Sequence, residues 1–178
     1  MRGKNIRCVS EDFINGYIFT TYDELIRDIA KYNGREKYDM VTGFDISLKS
    51  QIDDILLFDA VIGNDDRHLN NLAIINTQNE KYIPLFDNGA SMFSRIPQGE
   101  LKLTNKTSFD YQKCKPFFNT MGEQINLIEQ CRLERVSVDE ISEVVNRCVE
   151  KKRAKNIMTL LCNNLEKVGE HYGRELLY

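Results

Sequence analysis

The densest hydrophobic pattern lies in the first half of the chain. Between Lys49 and Ile62 apolar residues crowd together as Ile52, Ile55, Leu56, Phe58, Ala60, Val61 and Ile62. That density exceeds one stripe of an amphipathic helix, so the pattern predicts a helix buried on several sides. Two short apolar runs follow, at residues 72–75 and 82–86, with the polar stretch Asn76-Thr77-Gln78-Asn79-Glu80-Lys81 between them. Runs of this length bounded by turn residues predict two strands of a hairpin. Residues 66–71 begin soon after Gly63 and are rich in Asn, Asp and His, which predicts a loop.

The flanks are patterned for helix. Thr20 or Thr21 caps a run opening with Asp23 and Glu24, and Leu25, Ile26, Ile29 and Ala30 give it an apolar face. Asn33-Gly34 is its expected end. Near the C-terminus Ser137 and Glu140 have capping-box spacing, and Val138, Ile141, Val144, Val145 and Cys148 share one face. A last helix carries Ile157, Leu160, Leu161, Leu165, Val168 and Tyr172 on one stripe, with Gly169 and Gly173 weakening its end. Lys151-Lys152-Arg153 reads as a solvated junction between the two. From Ser91 to about Ser108 the pattern disappears, and Pro97 and Gly99 argue against a regular element there.

Candidate chemistry sits on the loop and hairpin. Asp66 is followed five residues later by Asn71, and the second apolar run ends in Asp87-Asn88-Gly89. Each residue alone is an ordinary turn residue. In this order, with strands between, they match the needs of Mg²⁺-dependent phosphoryl transfer. A carboxylate must accept the proton of the attacking hydroxyl, and Asp66 fits that role. Magnesium takes hard oxygen ligands and keeps several waters, so one or two protein oxygens beside the nucleotide phosphates suffice. Asn71 offers an amide oxygen and Asp87 a carboxylate. A hairpin would bring the two together. Asp59, in the preceding helix, either braces this loop or faces solvent.

The string Asp66-Arg67-His68-Leu69-Asn70-Asn71, with Pro84-Leu85-Phe86-Asp87-Asn88-Gly89, resembles the catalytic lobe of HipA-like kinases. These are bacterial serine/threonine protein kinases, some of them toxins of toxin–antitoxin systems. The D-R-H-x-x-N string is also similar to that of phosphoinositide-type atypical kinases. The resemblance covers Ile52 to Met92, including the Phe58-Asp59-Ala60-Val61-Ile62-Gly63-Asn64 approach. It implies Asp66 as catalytic base, Asn71 and Asp87 as Mg²⁺ and nucleotide ligands, His68 as support of the loop, and ATP and Mg²⁺ as cofactors. Ser91, Ser94, Thr104, Thr107 and Ser108 are hydroxyls that autophosphorylation would use, although hydroxyls are ordinary in solvated loops.

The chain departs from a complete kinase before the catalytic helix. It has no G-x-G pair and no V-A-I-K-like strand there, and Gly3, Gly16, Gly34 and Gly43 stand alone. The expectation is one α+β, predominantly α-helical domain over residues 1–178, a protein-kinase-like C-lobe with a small catalytic β-hairpin and no N-lobe. A separate N-lobe or antitoxin protein and a protein substrate are the expected partners. The alternatives are a catalytically silent regulatory lobe and a lipid-kinase-like lobe, the latter disfavoured by the lack of a basic membrane-facing stretch.

Composition changes this picture little. A chain of 178 residues with 42% hydrophobic and 29% charged residues is ordinary for a globular domain. A net charge of −3 gives no electrostatic reason for nucleic-acid binding. No apolar run suggests a membrane span or a signal-peptide core. Cys8, Cys114, Cys131, Cys148 and Cys162 form no C-x-x-C pair, which fits reduced thiols and a cytoplasmic location.

Overall fold

The computed structural model describes residues 17–97, 103 and 108–178. Among them the fold is α+β, predominantly helical, with one three-stranded antiparallel sheet. Cys8, Thr104, Thr107 and Gly99 lie outside the described residues. The other four cysteines are free thiols. No helix among the described residues is long and apolar enough to cross a membrane.

The chain enters as strand β1 (Ile18–Thr21) and turns into the one-turn helix α1 (Tyr22–Leu25). Thr21 is the N-cap. Its hydroxyl accepts from the Glu24 amide, and the Glu24 carboxylate accepts from the Thr21 amide. The cap is as expected, but the longer helix to Asn33 does not form. Asp28 takes a left-handed conformation (φ 58°) and redirects the chain into a 3₁₀ turn at Ile29–Lys31. Two short turns thereby deliver Tyr22, Ile26 and Ile29 to the core. Asn33-Gly34, expected as a stop, is instead a start: helix α2 spans Gly34–Phe44. Its buried Tyr38 donates to Asp53 Oδ1 at 2.6 Å, and Lys49 holds the other oxygen at 2.8 Å.

Helix α3 (Lys49–Ile62) has the bounds and the many-sided burial its pattern predicts. Ile52, Leu56, Leu57 and Ala60 are essentially inaccessible to solvent. The helix stops at Gly63, which is left-handed (φ 63°), and a Cβ there would lie 2.3 Å from the Gln112 amide nitrogen. Both the backbone and the neighbour therefore favour glycine. From across the core, buried Asn164 donates to the Ala60 and Val61 carbonyls at 2.9 and 3.1 Å, satisfying carbonyls that the helix end leaves open.

Strand β2 (Ala73–Asn76) is the middle of the sheet. It pairs with β1 (Phe19 opposite Ile75, Thr21 opposite Ala73) and with β3 (Lys81–Tyr82; Tyr82 opposite Ile75). The expected hairpin is present, but its second strand is two residues long rather than five. The Ile83 amide leaves the ladder to donate to Gln51 Oε1 on α3 at 2.8 Å, and Pro84 has no N–H to continue pairing. Strand β1 was not foreseen, because its few residues merge with the helix cap.

Helices α4 (Met121–Ile125), α5 (Val138–Cys148) and α6 (Lys151–Tyr172) complete the body. Ser137 caps α5 through the Glu140 amide. The apolar face of α5 is narrower than its sequence suggests: Val145 is buried, whereas Val144 and Cys148 are exposed. Helix α6 buries the predicted stripe of Ile157, Leu160, Leu161, Leu165 and Val168. The helix continues through Gly169 to Tyr172. A Cβ at that position would lie 2.4 Å from the Arg174 carbonyl oxygen, so the glycine lets the returning chain pack against the helix. The helix ends at Gly173, left-handed at φ 61°.

Candidate active site

The site is assembled around one buried ion pair. Arg67 and Asp59 are both 0% exposed. Arg67 Nε donates to Asp59 Oδ2 at 2.7 Å and its Nη2 to Asp59 Oδ1 at 2.8 Å, a bidentate fork. Asn64 adds its side-chain amide to Asp59 Oδ1 at 2.8 Å, and the Asn64 backbone N–H binds the Asp59 carbonyl at 2.9 Å. Asp59 thus braces the loop and does not face solvent. Burial pushes its carboxyl upward, while Arg67 and Asn64 oppose that push.

The remaining guanidinium hydrogens reach two other segments. Arg67 Nη1 donates to the Asn71 carbonyl at 3.3 Å and to the Phe86 carbonyl at 2.5 Å. Nη2 also reaches Asn88 Oδ1 at 2.5 Å. One side chain therefore joins α3, the 66–71 loop and the 86–88 turn. Asn71 and the residue before Asp87 share a single nitrogen donor. The predicted convergence of these segments is present, but Arg67, rather than strand pairing, closes it. Sequence reasoning gave Arg67 no role. The signal available was Asp59, eight residues earlier: a carboxylate that braces the loop needs a cation, and Arg67 is the Arg of that loop.

The predicted residues take distinct places. His68, at the centre of the loop, donates its backbone N–H to the Asp66 carbonyl (2.9 Å) and accepts from the Asn71 N–H (2.8 Å). Its Nδ1 is buried without a hydrogen-bond partner. Asn71 opens the hairpin, is buried, and donates its amide nitrogen to the Asp66 carbonyl at 3.4 Å. Asp87 is exposed, with its backbone left-handed at φ 53°. Aspartate tolerates that region better than most residues. The Ser91 hydroxyl donates to the Asn88 carbonyl at 2.7 Å, and the Ser94 hydroxyl donates to the Gly89 carbonyl. Both hydroxyls of this stretch therefore serve the 87–89 turn.

The Asp66 side chain is one quarter exposed. Two cations that the sequence did not single out cover it. Lys115 Nζ is 2.7 Å from Oδ1, and Arg95 Nη2 is 2.5 Å from Oδ2. These bonds hold the Asp66 carboxyl down at about 2, Lys115 contributing most and Arg95 next. Arg95 also lies 3.6 Å from Asp65, and it feels the field of Asp87. No sequence pattern marks either cation: Arg95 comes from the irregular stretch after Ser91, and Lys115 from the segment leading into α4. A cleft of about 260 Å³ opens alongside, lined by Asp65, Ala90, Phe93, Arg95, Ile96 and Tyr111 among others.

The donor set suits a hard cation in part. Among the described residues no group of three or more His, Cys, Asp or Glu side chains forms a self-sufficient metal site. Asn71 and Asp87 could offer one amide oxygen and one carboxylate, which would fit an ion that completes its shell with water and phosphate. Comparisons with protein-family models, curated proteins and solved structures found no match to this chain.

Proposed function

We propose that this chain is the catalytic lobe of a HipA-like kinase, transferring the γ-phosphoryl group of ATP to a serine or threonine hydroxyl of a protein. The observation that carries the reading is the Arg67 frame. It invests a fully buried ion pair in tying the Asp66–Asn71 loop to the Asp87 turn. A buried pair of this kind contributes little net stability, so its value lies in fixing geometry. Asp66 is the base: it is ionised at neutral pH, is partly exposed next to Asp65 of the cleft wall, and can accept the proton of an incoming hydroxyl. Asn71 and Asp87 are the ligands that would hold Mg²⁺ with the nucleotide. When bound, Mg²⁺ offsets charge on the phosphates. His68 keeps the loop in shape through its backbone. The other wall of the nucleotide pocket, with its phosphate-covering loop, comes from a separate polypeptide or from residues beyond this chain. An antitoxin protein remains a proposed partner, and the cytoplasm the proposed location.

A silent regulatory lobe is the second reading, favoured by one observation: both Asp66 oxygens are covered by cations. The two readings separate on transfer of labelled γ-phosphate to protein, assayed with any candidate N-lobe present. The kinase reading expects transfer that Asp66→Asn abolishes while thermal stability is unchanged. Transfer retained by Asp66→Asn in a folded protein would remove Asp66 from the chemistry. Submicromolar Mg·ATP affinity in the isolated chain would contradict the need for a second wall.

A further inference from the structure

We propose that Arg95 and Lys115 form a two-cation clamp for the phosphoryl group being transferred, a role beyond the base and metal positions and one that rests on the kinase reading. Their side chains are more than half exposed, at 59% and 54%. Exposed ion pairs add little to stability, so folding gives weak reason to place two cations on one carboxylate. Their backbones, by contrast, are firmly held. The Lys115 carbonyl accepts from Gln124 Nε2 at 2.9 Å, and Gln124, 1% exposed, takes the Phe117 N–H on its other atom at 3.3 Å. On the other side Arg153 of α6 grips the Phe93 carbonyl at 2.5 Å and the Ile96 carbonyl at 3.0 Å. Arg153 therefore belongs to the site's support, although its tract reads as solvated in the sequence. Met92 and Phe93 are both left-handed, at φ 51° and 58°. Non-glycine residues persist there only where the surroundings over-determine them. Fixed backbones carrying half-exposed cationic heads, Arg95 among the residues lining the cleft, are suited to meeting an anion there.

The local charge agrees. Asp65, Asp66 and Asp87 against Arg95 and Lys115 leave one negative charge, which a divalent ion on Asn71 and Asp87 turns into one positive. That balance favours an anionic group entering beside Asp66. In the transfer step the acceptor oxygen bonds to the γ-phosphorus and the bond to the β–γ bridging oxygen breaks. The electron pair leaves on ADP, and the hydroxyl proton passes to Asp66. Arg95 and Lys115 turn from the Asp66 oxygens to the phosphoryl oxygens as negative charge gathers there, which also uncovers the base.

Calorimetry on the full chain with Mg·ATP and Mg·ADP tests this directly, using Lys115→Met, Arg95→Met and Lys115→Arg. Each methionine variant is expected to weaken Mg·ATP binding by roughly tenfold or more, the scale of one charge-assisted hydrogen bond. Mg·ADP binding should stay within about twofold, because ADP lacks the γ-phosphoryl group. Lys115→Arg should restore most of the difference, and unchanged melting temperatures exclude misfolding. Equal losses for both nucleotides, no loss, or tighter Mg·ATP binding would each overturn the clamp while leaving the kinase reading standing. Absence of Mg²⁺-dependent binding of either nucleotide to the wild-type chain, up to millimolar concentration and with the candidate N-lobe present, would overturn both.

Discussion

Replacing Arg67 with methionine leaves the Asp59 carboxylate sealed in the interior with the Asn64 side-chain amide as its remaining side-chain donor. The wild-type pair is fully buried and bidentate, at 2.7 and 2.8 Å. The same change strips a donor from the Asn71 and Phe86 carbonyls and from Asn88 Oδ1. Removing one partner of a buried ion pair costs about 3–5 kcal/mol, much of it the penalty of the charge left behind. Domains of this kind are stable by about 5–15 kcal/mol, so the loss is a large share of the total. For a chain of this length each kcal/mol moves the melting temperature by roughly 2–4 °C. The expected fall is therefore about 6–20 °C, with a matching drop in the urea midpoint. The pH dependence carries the sign. In Arg67→Met the folded-state pKa of Asp59 lies further above its unfolded value, since burial is no longer opposed by a guanidinium. Stability tied to such a group is present below the unfolded pKa and lost as pH rises through the folded one. The variant's deficit should thus shrink on acidification as Asp59 becomes neutral. In the double variant Asp59→Leu/Arg67→Met the losses should be far from additive. A loss under about 1 kcal/mol for Arg67→Met, or one that does not change with pH, would refute the reasoning.

Two further substitutions test how the frame is supported. Gly169→Ala gains about 1 kcal/mol in helix propensity, but its Cβ would meet a backbone carbonyl oxygen at 2.4 Å. Overpacking against backbone costs about 1–3 kcal/mol, so thermal melting should show a net loss; a stabilised variant would contradict the close approach. Asn164→Ala removes the donors to the Ala60 and Val61 carbonyls at the end of α3. It should cost about 1–3 kcal/mol by urea titration and raise hydrogen exchange around Gly63, and unchanged exchange there would argue against that brace.

How much the sequence disclosed depends on the kind of interaction. Helix α3 was legible to its ends because its apolar density and Gly63 are local signals. Helix α2 was not, because it starts at a glycine that reads as a terminator, and its buried face is short: Val41 and Tyr38, whose hydroxyl binds Asp53. The break after Leu25 reflects the same limit: core contacts chose two short turns over the longer helix that the cap suggested. At the site, the order Asp66, Asn71, Asp87 was visible as spacing. Arg67 was hidden because its five bonds reach partners up to twenty-one residues away. Arg95 and Lys115 were hidden for a further reason. They meet Asp66 across twenty-nine and forty-nine residues, from segments without periodicity.

The central claim is that Asn71 and Asp87 jointly hold a divalent ion with a nucleotide. Paramagnetic broadening of backbone amide signals by Mn²⁺ with ATP tests it most directly, because Mn²⁺ takes the same oxygen ligands as Mg²⁺. The account predicts broadening centred on both the 71 and 87 segments, strengthened by ATP. Asp87→Ala should abolish it, and Asn71→Asp, which keeps an oxygen ligand, should retain part of it. Broadening confined to other acidic surfaces, or unaffected by Asp87→Ala, would contradict the assignment.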